Sequence, residues 1–293
     1  MEKKIIFKGV ATALLTPFKD GKIDYPSLEK IIEMQIEAKI PALVVGGTTG
    51  EVATLSDAER YALFRFAKGL VKDRAKLIFG TGTNDTEAVI KHTRFAEELG
   101  CDGALVVTPY YNKGTDEGLI KHYEKIANST NLPIILYNVP TRTGVNLTLS
   151  QLERLSCVTN IVAIKEASDS LDRLVEISLM SEKLSLIAGS DSAVYSVLSL
   201  GGVGVISVIS NFCPRETAFI TESFFAGRTE RALEMQKRLV PFIKACFLET
   251  NPAPIKYAMS RLGLCENELR LPLSQISKRC AELIDKTLAD LKL

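Results

Sequence analysis

The sequence predicts a (β/α)8 barrel followed by a C-terminal helical extension, and three observations carry this. Eight apolar, β-branched runs recur along the 293 residues, and each ends in small or polar residues. Each is followed by a segment whose apolar residues repeat at helical spacing. Continuous apolar strands flanked by helices belong to a parallel sheet covered on both faces, and eight such units suggest a closed barrel rather than an open doubly wound sheet. An open nucleotide-binding sheet would also carry a glycine fingerprint. "GTGTND" lacks the third glycine of G-x-G-x-x-G, and no G-x-x-x-x-G-K-[ST] occurs.

Taken in order, "VATALLTPF" supplies the first strand, and Leu28, Ile31, Ile32 and Ile36 mark one buried face of the helix after it. "ALVVGGTTGE" is the second, followed by "SDAE" from Ser56, which reads as a capping box. "KLIFGTGTN" is the third, and "NDTE" from Asn84 reads as another box. "GALVVTPYYN", "PIILYNVPT", "IVAIKEAS", "LSLIAGSD" and "GVGVISVIS" complete the eight. The expected division is a catalytic barrel over residues 1–227 and an extension over 228–293, broken at "ETNPAPI" and "LRLPLS". That extension is too apolar for a free tail, so it should pack on the barrel or on a neighbouring subunit.

Composition removes several classes of function. A formal net charge of +1 gives no field to draw nucleic acid or anionic lipid. No window approaches the ~20 apolar residues of a membrane helix, and the opening "MEKKIIFKG" breaks at Lys8, too early for a signal peptide. Cys101, Cys157, Cys213, Cys246, Cys265 and Cys280 include no C-x-x-C pair, so reduced thiols in a cytoplasm are expected, with neither a disulfide framework nor a zinc site. His92 and His122 both fall inside expected helices, and no G-x-S-x-G elbow exists. No metal and no cofactor are therefore expected.

Barrel active sites lie at the C-terminal ends of the strands. There the sequence places Thr48, Thr49, Tyr110, Tyr111, Tyr137, Arg142, Lys165, Gly189 and Ile206. Lys165 is the unusual one, because burying an isolated ammonium is costly. Burial favours the neutral amine, which can condense with a keto group to a Schiff base whose iminium acts as an electron sink. The plainer reading, a lysine paired with Glu166 or Asp191, stands equally open on the strand alone. Glu51 and Glu166 could in principle form a glycosidase pair, but the accompanying lysine and arginine argue against it. Tyr137, on the strand beside Lys165, could shuttle protons or merely plug the core. Thr48 and Thr49 sit in a glycine-flanked turn able to bind a carboxylate, and Arg142 in "PTRTG" suits a second carboxylate or none.

In order and at matching intervals, "GGTTGE", "PYYN", "YNVPTRTG" and "IVAIKEAS" resemble the dihydrodipicolinate synthase and N-acetylneuraminate lyase family over nearly the whole chain. The double threonine and the arginine are similar to its synthase branch. The resemblance implies condensation of pyruvate with L-aspartate 4-semialdehyde through a Schiff base on Lys165, with Tyr137 as general acid/base. It further implies a proton relay completed by Thr48 and Tyr111, pyruvate held by Thr49 and Ile206 beside Gly189, and Arg142 on the semialdehyde carboxylate. Family members are commonly homotetramers, dimers of dimers, in which the second tyrosine of "PYYN" reaches the neighbour's site. A related lyase with another aldehyde, and a non-catalytic keto-acid-binding barrel, remain as alternatives.

In lysine-inhibited relatives, the same resemblance places a serine and two histidines where this chain carries Val52, Asp57 and Arg60, while Asn84 and Tyr110 are kept. Asp57 and Arg60, at i, i+3, are expected to satisfy each other. Weak or absent inhibition by L-lysine follows.

Overall fold

A computed structural model describes residues 5–168 and 170–291. The first four residues of the opening segment and the last two of the extension lie outside the described residues. Eight parallel strands close into a barrel: Gly9–Ala13, Ala42–Val45, Lys76–Gly80, Gly103–Val107, Ile134–Asn138, Ile161–Glu166, Ser185–Ala188 and Gly204–Ser207. The first pairs with both the second and the eighth, so no edge is left open. Each coincides with one of the eight apolar runs. Inward residues such as Ala11, Val44, Ile78, Leu105 and Ile187 fill the barrel, while Val10, Leu43, Phe79 and Val106 face the helical ring.

One irregularity aims the key strand. Ile134 pairs with Ile161, but Ile135 pairs with Ala163, so the sixth strand carries one extra residue at Val162. Val162 and Ala163 both join the interior cluster, whereas Ile161 and Ile164 pack outward. Side chains alternate along a strand, so from Ile161 outward an unbulged strand would send Lys165 outward too. The inserted residue reverses that parity and turns Lys165 into the barrel.

A two-stranded hairpin, Phe18–Lys19 with Lys22–Ile23, was not expected from the apolar pattern. Its signal is the Asp20-Gly21 dipeptide, where both residues take positive φ (51° and 75°), as a tight hairpin turn requires. Ser56 and Glu59 do form a reciprocal capping box. The second expected box is corrected: Asp85, not Asn84, caps the helix Thr86–Glu98 by accepting from Glu87 N. Leu28, Ile31 and Ile32 are buried as expected, and Ile36 partly so.

After the eighth strand come the helices Pro214–Phe225, Thr229–Cys246, Ala253–Arg261 and Lys278–Leu291. Thr229–Cys246 buries Ala232, Gln236, Leu239, Phe242, Ile243 and Cys246 at helical spacing and packs on the helices before it and after Ala253–Arg261. Among the described residues, no helix is long and apolar enough to cross a membrane.

Candidate functional site

A cavity of about 750 Å³ opens at the C-terminal ends of the barrel strands. Thr48, Thr49, Tyr137, Arg142, Lys165, Gly189 and Ile206 all line it. Tyr137 and Lys165 are register partners on the fifth and sixth strands, which sets their side chains on the same face. Lys165 Nζ lies 4.1 Å from the centre of the Tyr137 ring.

Lys165 is 5% exposed. Neither candidate counter-ion bonds to it, although Asp191 Oδ1 has no hydrogen-bond partner and its carboxyl feels the Lys165 charge. The Glu166 carboxylate accepts from Arg173 Nε at 2.9 Å, from Asn138 Nδ2 at 2.9 and 3.0 Å, and from Ser168 N at 2.9 Å. Asp191 Oδ2 accepts from the Val208 and Ile209 amides at 2.9 and 3.2 Å, while burial raises the pKa of its carboxyl above the usual range. Among the described residues, no hydrogen bond or ion pair holds the Lys165 amine. Pairing with Glu166 is thereby set aside, and no direct bond joins Lys165 to Asp191; the glycosidase pair is set aside too, because Glu51 is fully buried against Lys256.

The turn after the second strand is held from below by Glu51, in the left-handed region at φ 52°. Its carboxylate receives the Lys256 ammonium and, at 3.1 Å, the backbone N–H of Arg270. The Arg270 guanidinium in turn reaches Glu59 and the carbonyls of Thr54 and Gly21. That contact with Arg270 holds the Glu59 carboxyl down to about 2. The Thr49 hydroxyl accepts from Asn251 Nδ2 at 3.0 Å, and Arg142 Nη2 donates to the Asn251 carbonyl at 2.9 Å. Arg142 sits on a one-turn helix, Pro140–Thr143. Thr48 and Tyr137 make no side-chain hydrogen bond among the described residues, which leaves both hydroxyls to the cavity. Gly189 is fixed by close approach: an added Cβ would come within 2.6 Å of the Ala167 side chain and of the Glu166 carbonyl.

Tyr111 is not brought to this cavity. It is 91% exposed and at φ 71°, a backbone conformation that is strained for a bulky residue. Its neighbour Tyr110 approaches Thr83 Oγ1 at 3.4 Å.

The expected Asp57–Arg60 pairing is corrected. Asp57 Oδ2 instead pairs with Lys91 at 2.8 Å, on the neighbouring helix, with His92 Nε2 3.7 Å from its other oxygen. Arg60 is buried, reaches the Val52 carbonyl only at 3.5 Å, and has no hydrogen-bond partner at Nε or Nη1. Burial pushes His92 and His122 down to about 4, so both are neutral structural groups at pH 7. Among the described residues, no three His, Cys, Asp or Glu side chains gather as metal ligands.

Asn251, Lys256 and Arg270 escape a reading of strand ends because they arrive from the extension. The broken stretch "ETNPAPI" is the one sequence signal of Asn251.

The model of the dihydrodipicolinate synthetase family matches residues 6–291. A 4-hydroxy-tetrahydrodipicolinate synthase of Alkaliphilus oremlandii is 47% identical over 274 residues, 93% of this chain and 94% of its own length. One from Clostridium novyi is 44% identical over 284 residues, 97% and 96% of the two chains. The crystal structure of dihydrodipicolinate synthase from Thermotoga maritima superposes with a TM-score of 0.96 at 41% identity, covering 98% of this chain and 99% of that one.

Proposed function

The chain belongs to the dihydrodipicolinate synthetase family, and from that membership we propose that it condenses pyruvate with L-aspartate 4-semialdehyde to 4-hydroxy-tetrahydrodipicolinate, in the cytoplasm and on the route to diaminopimelate and lysine. The observation that carries the assignment is the buried, unpartnered Lys165 amine beside the Tyr137 ring in an open cavity. The amine adds to C2 of pyruvate, and loss of water gives an iminium. A proton then leaves C3, and the resulting enamine attacks the aldehyde carbon of the second substrate. The substrate's own amine displaces Lys165 from C2 and closes the ring, returning the free lysine. No external cofactor enters.

Tyr137 moves the protons of carbinolamine formation and dehydration, and Thr48 lines the same cavity. Thr49 and Ile206 receive pyruvate, and Gly189 leaves room for it. Tyr111 belongs to the neighbour's relay in a homotetramer built as a dimer of dimers. Its exposure supports that role, since a tyrosine held in a strained turn in open solvent serves nothing within its own protomer. Leu171, Val175 and Leu179, exposed at i, i+4 and i+8 on one helix face, support a second contact between copies.

Borohydride with labelled pyruvate should inactivate the enzyme and mark Lys165, and label on any other lysine would sink the assignment. Arg142, a cationic group of the cavity lining, is assigned to the semialdehyde carboxylate. Arg142→Ala should therefore lose about 2–4 kcal/mol in kcat/KM for that substrate while trapping of pyruvate stays near normal. Equal loss in trapping would show that the arginine serves pyruvate instead. The expectation of weak inhibition by L-lysine now rests on Val52, which offers no hydroxyl, rather than on the Asp57–Arg60 pairing.

A further inference from the structure

We propose that Asn251 is a positioning residue for the keto-acid substrate, its side-chain amide setting the Thr49 hydroxyl as a donor toward the pyruvate carboxylate. This rests on the reading above, in which pyruvate binds beside Thr49.

An amide nitrogen only donates. Asn251 Nδ2 lies 3.0 Å from Thr49 Oγ1, so the hydroxyl oxygen is the acceptor in that bond and its single proton is free for another partner. Thr49 makes no other side-chain hydrogen bond among the described residues, and it lines the cavity. Asn251 is 5% exposed and Thr49 is buried, so bulk water does not compete for the bond between them. With the amide turned over, Oδ1 would instead take the Thr49 proton, leaving a buried NH2 without a partner. An orphaned N–H is rarer in folded proteins than an underused carbonyl oxygen. The orientation observed leaves only Oδ1 unpartnered.

Asn251 serves the two substrates through different atoms. Its side chain touches Thr49, whereas its main-chain carbonyl receives Arg142. Substitution of the side chain removes the first contact and keeps the second, so the effect should fall on pyruvate alone.

The test measures half-saturating pyruvate in borohydride trapping, and both steady-state KM values, for wild type, Asn251→Leu, Thr49→Val and the double variant. Leucine keeps the approximate volume of asparagine and donates nothing. Asn251→Leu should raise half-saturating pyruvate about tenfold and leave KM for the semialdehyde within about threefold. In the Thr49→Val background the same replacement should change pyruvate binding by less than about twofold, because its effect passes through that hydroxyl. Asn251→Asp keeps the shape but can only accept; it should weaken pyruvate further, and it carries the test if the leucine variant fails to fold. Pyruvate half-saturation within twofold of wild type in the folded variants would overturn the inference. So would an undiminished loss in the Thr49→Val background, or a loss confined to the semialdehyde. Wild-type protein that traps no pyruvate would overturn both this inference and the reading beneath it, whereas normal wild-type trapping with a silent Asn251 overturns the inference alone.

Discussion

Lys165→Arg should abolish turnover, lowering kcat by about 10⁴-fold or more, as losses of a covalent catalytic group do. A guanidinium stays protonated at any pH the fold survives and cannot add to a carbonyl. The replacement keeps a long nitrogen-bearing side chain over the Tyr137 ring and adds little volume, so loss of activity without loss of fold isolates the nucleophile. Among the described residues two lysines are buried, which gives an internal control. Lys256 is bound to a carboxylate and does not line the cavity; Lys165 is unpartnered and does. Trapped pyruvate on Lys256, or residual turnover above about 1% of wild type, would refute the role given to Lys165.

The second large effect is on stability. Lys256 and Glu51 form an ion pair with both side chains fully buried, and burial pulls the pKa of Lys256 down while Glu51 pulls it back up. Removing one member of such a pair leaves an uncompensated buried charge and costs about 3–5 kcal/mol. Lys256→Met should therefore lower Tm by roughly 6–15 °C at fixed protein concentration. The double variant with Glu51→Gln should recover much of that, because the stranded charge is gone. Glu51 also holds the left-handed corner below Thr48 and Thr49, so the single variant should bind pyruvate more weakly at temperatures where it remains folded. A fall in Tm of less than 2 °C would show that the pair contributes little.

The eight strands were legible because both faces of a barrel strand are covered, which writes each as an uninterrupted apolar run. Lys165 stood out against one such run, and Tyr137 followed from adjacency. What escaped was whatever depended on distance along the chain. Asn251 meets Thr49 across 202 residues, Lys256 meets Glu51 across 205, and the Arg270 amide meets Glu51 across 219. No local period encodes such meetings. Asp57 was misread for a related reason. The i, i+3 spacing made Arg60 the nearest cation in sequence, but Lys91 on the adjoining helix is the nearer one in space. The bulge at Val162 was hidden too, since Val162 and Ala163 look like any two members of an apolar run.

The clasp between the turn at Thr49 and the extension bears on how the protein is made. A ribosome delivers the chain from its N-terminus, so all eight strands emerge before Asn251, Lys256 or Arg270 exists to meet them. During that interval the barrel can close around Lys165, but Glu51 waits in an apolar setting without its cation and Thr49 without its amide. The turn at Thr49 is among the first parts of the molecule to be synthesised and among the last to be completed. A nascent barrel thus lacks the Lys256 and Asn251 partners of Glu51 and Thr49 until the extension has left the ribosome.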